Sequence, residues 1–310
     1  MKFKIVYSLI FFCNLCHGQI ATPSAGSIKR FENFPSKYVN SRNIDVWLPD
    51  GYNSKNKYAV LYMHDGQMLF DSSITWNKQE WGVDETISKL HSENKIKNCI
   101  VVGIWNGGKN RHIEFCPQKP FESLPVSYRD SIIELAKRVN GNQVFSGEII
   151  SDHYLKFIVE ELKPFIDSSF STKKNRKNTF IAGSSMGGLI SLYAICEYPK
   201  IFGAAACMST HWPVLFTTEN NLFPVAINNY LKQHLPSAKK HHIYFDYGTK
   251  TLDTLYKPFQ QIVDKTMAAK GYNKNNWVTK EFIGDDHSEK SWRNRLHVPV
   301  IFLLSEKQFQ

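Results

Sequence analysis

A chain of 310 residues, 42% of them hydrophobic, can bury one large core, and without repeats or low-complexity linkers it excludes a solenoid or a disordered tail protein. Its formal charge of +10 is spread without a Lys/Arg run dense enough for a nucleic-acid stripe; Lys173-Lys174-Asn175-Arg176-Lys177 reads as a solvated loop. The basic balance suits an anionic polysaccharide, an acidic acyl group or an envelope surface.

Taken in chain order, residues 1–18 come first. Lys2 and Lys4 precede an apolar run from Ile5 to Cys13, and Cys16-His17-Gly18 closes the segment. A basic start, a short apolar centre and a small residue at the cut describe a secretory signal peptide. The run is too short to span a bilayer, so no stable membrane insertion is expected. Phe-Phe and Asn-Leu precede Cys13 and Cys16 where a lipid-anchor site has small residues, which disfavours anchoring. The expected product is one domain, 19–310, exported to the periplasm or beyond, its formal charge reduced to +8 by loss of Lys2 and Lys4.

Asn43–Leu48 alternates polar and apolar and reads as an early antiparallel strand. Tyr58–His64 and Cys99–Ile104 are nearly continuous apolar runs, as buried strands require, and Val83, Ile87 and Leu90 mark a helix between them. Residues 117–150 interrupt the alternation, with a short helix expected over Ser127–Val139. An insertion there is expected to sit over the carboxyl ends of the strands as a substrate-facing cap. Apolar spacing predicts a helix over Tyr154–Ile166 and another around Tyr256–Lys270. Gly203–Met208, Ile243–Tyr247 and Trp277–Phe282 read as strands, and a last helix covers Ser291–Leu304. The repeated alternation predicts an α/β fold: a mostly parallel sheet flanked by helices. Cys99, Cys116, Cys196 and Cys207 follow no ligand or scaffold spacing and are expected to be buried free thiols.

Thr179-Phe-Ile-Ala-Gly-Ser-Ser-Met-Gly-Gly188 carries the chemistry. It is G-x-S-x-G between an apolar strand and an amphipathic helix, the context in which that motif presents a nucleophile. Ser185 is the expected nucleophile, with Gly183 and Gly187 relieving a strained turn. A serine needs a base, and the base a carboxylate. His287 lies in Gly284-Asp-Asp-His-Ser288, a loop just after a strand, from which an imidazole can swing over the serine. His241 and His242 read as exposed polar residues at a strand start, and His297 as structural. For the acid, Asp253 occupies a loop or helix start within reach of His287; Asp246 inside the strand, Asp285 and Asp286 are the alternatives. Two backbone N–H groups must stabilise the oxyanion, one from Met186 and one from Gln67 in the His64-Asp-Gly-Gln67 turn. His64 and Asp65 are expected to shape that turn. Trp212, just after a strand, is the candidate substrate wall. No HExxH or paired-ligand spacing occurs, so neither metal nor cofactor is expected.

These residues resemble the "putative esterase" family of α/β-hydrolases, which includes feruloyl and acetylxylan esterases, enterochelin-type esterases, S-formylglutathione hydrolase and mycolyltransferases. The resemblance rests on His64–Gln67 with Leu69–Asp71, Asn110-Arg111 with Glu114–Pro117, Gly183–Gly188, Asp246–Thr249 with Thr251–Asp253, and Gly284–His287 with Trp292. It implies an α/β-hydrolase fold with Ser185 as nucleophile, His287 as base, Asp253 as acid, and the Gln67 and Met186 amides as oxyanion hole. Met68 stands where the family often has Asn, and residues 117–150 have no assignable counterpart. The expected activity is serine carboxylic-ester hydrolysis on an acyl group, acetyl or feruloyl, of a carbohydrate. The alternatives are a siderophore ester hydrolase, an acyltransferase, and a non-catalytic carbohydrate-binding protein.

Overall fold

The computed structural model describes residues 19–137 and 141–305; the expected signal peptide lies outside them. Eight strands form one sheet: β1 (Ser27–Phe34), β2 (Arg42–Leu48), β3 (Ala59–His64), β4 (Cys99–Ile104), β5 (Thr179–Ser184), β6 (Ala204–Met208), β7 (His242–Gly248) and β8 (Trp277–Phe282). Their spatial order is β1-β2-β4-β3-β5-β6-β7-β8, antiparallel at β1-β2-β4 and parallel from β4 to β8. Strands β3 to β6 are buried along their whole length, which is why they read as runs that are apolar but for His64, Thr179 and Ser184 at their ends. β1 carries no clean alternation; pairing with β2 and a bidentate Arg30–Asp45 ion pair hold it in place.

Residues alternate between two cores, one on each face. Leu61, Val101, Phe180 and Ala206 pack beneath α1 (Val83–Ser92), α10 (Glu289–Arg295) and α11 (His297–Leu304). On the other face Tyr62, Val102, Ile181 and Phe245 pack against the remaining helices: α2 (Arg111–Phe115), α3 (Gln118–Glu122), α4 (Val126–Leu135), α5 (Ser151–Lys156), α6 (Lys163–Ser169), α7 (Met186–Glu197), α8 (Phe223–His234) and α9 (Tyr256–Ala269). A π-helical turn, Phe157–Leu162, joins α5 to α6, so the helix expected over 154–166 is real but locally underwound, with i→i+5 bonds. The last helix divides at Leu296, and Pro299 falls in the first turn of α11, where its missing N–H leaves no bond unmade.

The segment 117–150 departs from expectation. Phe121, Leu124, Ile132, Val144 and Phe145 are buried in the core, with Phe121 stacked on Phe223 at 6.1 Å. None of its described residues lines the cavity at Ser185. Its buried apolar residues pack beside α8, so they support the fold's flank and not the cavity mouth. No helix among the described residues is long and apolar enough to cross a membrane. The four described cysteines are buried free thiols, and burial pushes Cys99 up to about 12.

Candidate active site

The parallel strands end at one edge, and their carboxyl-end loops bring the candidate residues together. Ser185 follows β5 at φ 57°, ψ −124°, a left-handed conformation that a side chain adopts only under constraint. The constraint is visible in the bonds: Ser185 N–H donates to Met208 O at 2.9 Å, and Ser185 O accepts from Leu189 and His211 N–H. A Cβ on Gly183 would meet the Gly187 carbonyl carbon at 2.7 Å, so the strand and the helix start can approach only as glycines. Ser185 is half-exposed while Ser184, its spacer, is buried.

His287 lies across the same cavity. Its Nδ1 is 2.5 Å from Asp253 Oδ1, and its ring stands edge-on between Trp292 and Tyr256, with centroids at 5.0 and 5.8 Å. The loop is pinned by His287 N–H donating to Thr251 Oγ1 at 2.8 Å and by Thr249 and Lys250 N–H donating to Asp285 O. Burial would raise the Asp253 pKa; hydrogen bonds from His287, Ser209 and the Gly248 N–H outweigh it and hold the carboxyl below its ordinary value.

The other acid candidates are engaged elsewhere. Asp246 is wholly buried, accepting from Arg295, the Tyr244 hydroxyl and the Ser209 N–H, and burial raises its pKa. Asp285 pairs with Arg295 at 2.8 Å, and Asp286 accepts from the Ser288 and Ser291 hydroxyls. Asp285, Asp286 and His287 therefore point to three different partners.

Gln67 is the middle residue of a 3₁₀ turn, Gly66–Met68, and Met186 is the first residue of α7. Amides at such positions have no intrahelical acceptor. Asp65, at φ 56°, opens the Gln67 turn and is clamped by Arg111 through bonds of 2.6 and 2.7 Å and by the Asn106 side chain at 2.7 Å. His64 sits beneath, its Nδ1 2.8 Å from the Tyr154 hydroxyl; burial drives its pKa to about 3, so the ring is neutral. These residues shape the turn, as their composition suggested.

Trp212 is not a wall of this cavity. It is 1% exposed, its indole N–H donates to Gln260 Oε1 and its ring packs on Phe245. The chain after β6 turns inward at Ser209, at φ 41°, and carries Trp212 into the core. Trp76, Trp81 and Trp292 line the cavity instead, which encloses about 510 Å³ together with Gln67, Asn77 and Glu289. His241 is likewise buried, not exposed, hydrogen-bonded to Pro199 O and Ser237 O.

Sequence reading passed over Ser209 and Arg295. The Ser209 hydroxyl donates to Asp253 Oδ2 at 2.6 Å and accepts from Trp292 Nε1 and Arg295. A serine after a strand and an arginine near a helix end carry no local signal of this. Tyr256 was also missed: its hydroxyl meets Ser185 and lies 2.8 Å from Nδ1 of His211, a ring that burial keeps neutral with a pKa of about 3.

The fold has counterparts among solved structures. A ferulic acid esterase from Anaeromyces mucronatus superposes with a TM-score of 0.58 at 18% identity, covering 90% of each chain. The enterobactin esterase of Shigella flexneri gives 0.62 at 16% identity, covering 91% of this chain and 60% of that one. In sequence, the chain is 24% identical over 185 residues to an endo-1,4-beta-xylanase/feruloyl esterase of Xylanibacter ruminicola, covering 57% of this chain and 21% of the relative. It is 25% identical over 176 residues to the uncharacterized protein YbbA of Bacillus subtilis. The match spans 59% of YbbA, less than two thirds of that relative's length. The family profile described as "Putative esterase" matches residues 36–303, so the chain belongs to that esterase family and has its α/β-hydrolase fold.

Proposed function

We propose that the protein is an exported serine carboxylic-ester hydrolase that removes acetyl or feruloyl groups from a carbohydrate. The observation that carries this reading is the convergence of Ser185 and the Asp253–His287 pair on one open cavity. With Nδ1 facing Asp253, the other ring nitrogen of His287 is left to take the Ser185 proton as Oγ attacks the ester carbonyl carbon. In this reading the Gln67 and Met186 N–H groups, both at helix starts where no intrahelical acceptor claims them, hold the oxyanion. Collapse breaks the bond to the alkoxide, which leaves as the alcohol with the proton from His287. Water, deprotonated by the same imidazole, then attacks the acyl-enzyme, and the proton returns to Ser185 as the carboxylic acid departs.

The cavity's charges favour a neutral substrate. Asp65 and Arg111 neutralise each other, and the remaining charged wall residue, Glu289, is an anion that accepts from Asn77 at 2.8 Å. A polyanionic triscatecholate ester finds no spare cation among these lining residues, whereas amides, a carboxylate and an exposed tryptophan suit a sugar. Export rests on the basic-apolar pattern of residues 1–18.

The test compares wild type with Ser185→Ala on p-nitrophenyl acetate, methyl ferulate, acetylated xylan and a triscatecholate trilactone. The variant is expected to lose at least about 10³-fold in turnover, with wild type fastest on acylated xylan or methyl ferulate. Undiminished turnover by Ser185→Ala would overturn the mechanism, and preference for the trilactone would overturn the substrate class.

A further inference from the structure

The loops at the opposite edge of the sheet carry a charge asymmetry that the linear sequence conceals. Six connections enter β3 to β8 at their amino ends: residues 49–58, 93–98, 170–178, 198–203, 235–241 and 270–276. They hold 13 Lys and Arg against two acids, Asp50 and Glu93; the rest of the sequence holds 25 against 26. The chain's whole positive excess therefore belongs to these loops. No one loop contains a long basic run. Parallel strands place their amino ends side by side, so the sheet gathers the six loops along one edge, while Ser185 and His287 occupy the other.

Lys55, Lys57, Lys173, Lys174, Lys239 and Lys240 are exposed there. Twelve of the 13 cations are lysines, compact hydrated point charges that attract an extended polyanion without dictating its geometry. The exposed large hydrophobic residues, Trp76 and Ile283 among them, all lie outside the six connections. The edge thus lacks the exposed aromatic platforms on which single-stranded bases stack and the apolar anchors that enter a lipid layer.

We propose that this edge docks an anionic polysaccharide, its repeating carboxylates lying along the lysines, and so presents the Ser185 cavity outward from the bound polymer. The docking is independent of the reaction at Ser185, and the two are read separately.

The experiment measures binding of wild type to immobilised polygalacturonate, neutral dextran, duplex DNA and phosphatidylserine vesicles while salt is raised from about 0.05 M to about 0.5 M, a range over which screening shortens to a few ångströms. Lys173→Gln/Lys174→Gln/Lys239→Gln/Lys240→Gln is compared with an equal charge loss at exposed lysines away from this edge, Lys29→Gln/Lys37→Gln/Lys109→Gln/Lys280→Gln. Wild type is expected to bind polygalacturonate in a salt-sensitive manner and to ignore dextran. The edge variant is expected to bind about tenfold or more weakly and the control within about twofold of wild type, since local potential and not net charge governs capture. Turnover of p-nitrophenyl acetate by both variants reports that they are folded. Equal weakening of both variants, retention by the edge variant, or tighter binding of wild type to DNA or vesicles than to polygalacturonate would each overturn the proposal.

Discussion

Ser209 Oγ donates to Asp253 Oδ2 at 2.6 Å, on the carboxylate oxygen opposite the one that meets His287 Nδ1 at 2.5 Å. The serine is itself held by Trp292 Nε1 at 3.0 Å and Arg295 at 2.8 Å, so the loop after β6 and α10 together fix the carboxylate plane that orients the imidazole. Removing the hydroxyl leaves Asp253 in place through Gly248 N–H but frees its plane to turn. Ser209→Ala is expected to lower kcat about tenfold with KM nearly unchanged, and Asp253→Asn to lower it by on the order of 10³–10⁴ by favouring the wrong tautomer. Steady-state kinetics on p-nitrophenyl acetate distinguish these; a Ser209→Ala enzyme altered in KM alone would place the serine in substrate binding.

Arg295 is 1% exposed and neutralises buried Asp246 at 3.1 Å, half-buried Asp285 at 2.8 Å and, more distantly, buried Asp253 at 3.9 Å. Arg295→Met leaves Asp246 uncompensated in the core, which costs about 3–5 kcal/mol. Urea unfolding should show that loss, and adding Asp246→Asn should recover part of it. Full stability of the single variant would mean that water already reaches the cluster.

Trp76 is 83% exposed at the cavity rim, where burial gives no reason for an indole. Trp76→Ala is expected to leave stability and p-nitrophenyl acetate turnover unchanged. On acylated oligosaccharide, loss of a stacking contact should raise KM about threefold to tenfold. An equal effect on both substrates would assign the tryptophan to loop packing.

Asp84 is fully buried and accepts from the Ser24 and Ala25 N–H groups at 2.6 and 3.2 Å, tying the segment before β1 to α1. Burial, then the neighbouring Glu85, raises its pKa to about 7. The folded protein therefore keeps a proton that the unfolded chain releases near its ordinary carboxylate value. This stabilisation is greatest at the acid end of the window and is lost as pH rises through about 7. Between pH 5.5 and 8.0 the wild type is expected to lose about 1–2 kcal/mol that Asp84→Asn does not lose. Parallel urea curves at the two pH values check it; identical slopes would show that Glu85 carries the shared proton.

Gly183→Ala places a Cβ 2.7 Å from the Gly187 carbonyl carbon, backbone against backbone. The elbow cannot yield without moving Ser185, so activity should fall at least about 10²-fold while secondary structure, followed by circular dichroism, persists. Near-normal turnover would show that Ser185 does not need its strained backbone.

What the sequence determined by itself was local in origin. Glycines two residues either side of Ser185, an apolar strand before it and a helix after it are consequences of neighbouring atoms, so the elbow was legible before any fold. The same is true of β3 to β6, whose burial on both faces writes apolar runs with polar residues only at the strand ends. Where the outcome depended on residues distant in sequence, only the tertiary structure decided. Asp246 and Asp253 flank one turn, yet Asp246 lies in β7 facing Arg295, and Asp253 comes after the turn, where the loop carries it to His287. A tryptophan just after a strand looks accessible along the chain, but the turn at Ser209 buries Trp212, and that turn is held by bonds to Asp246, 37 residues away. Ser209 and Arg295 gave no local sign of their bonds to Asp253 and its neighbours. The basic edge is the same case at larger scale: six modest clusters become one surface because parallel strands begin side by side, a fact of topology that no window along the chain contains.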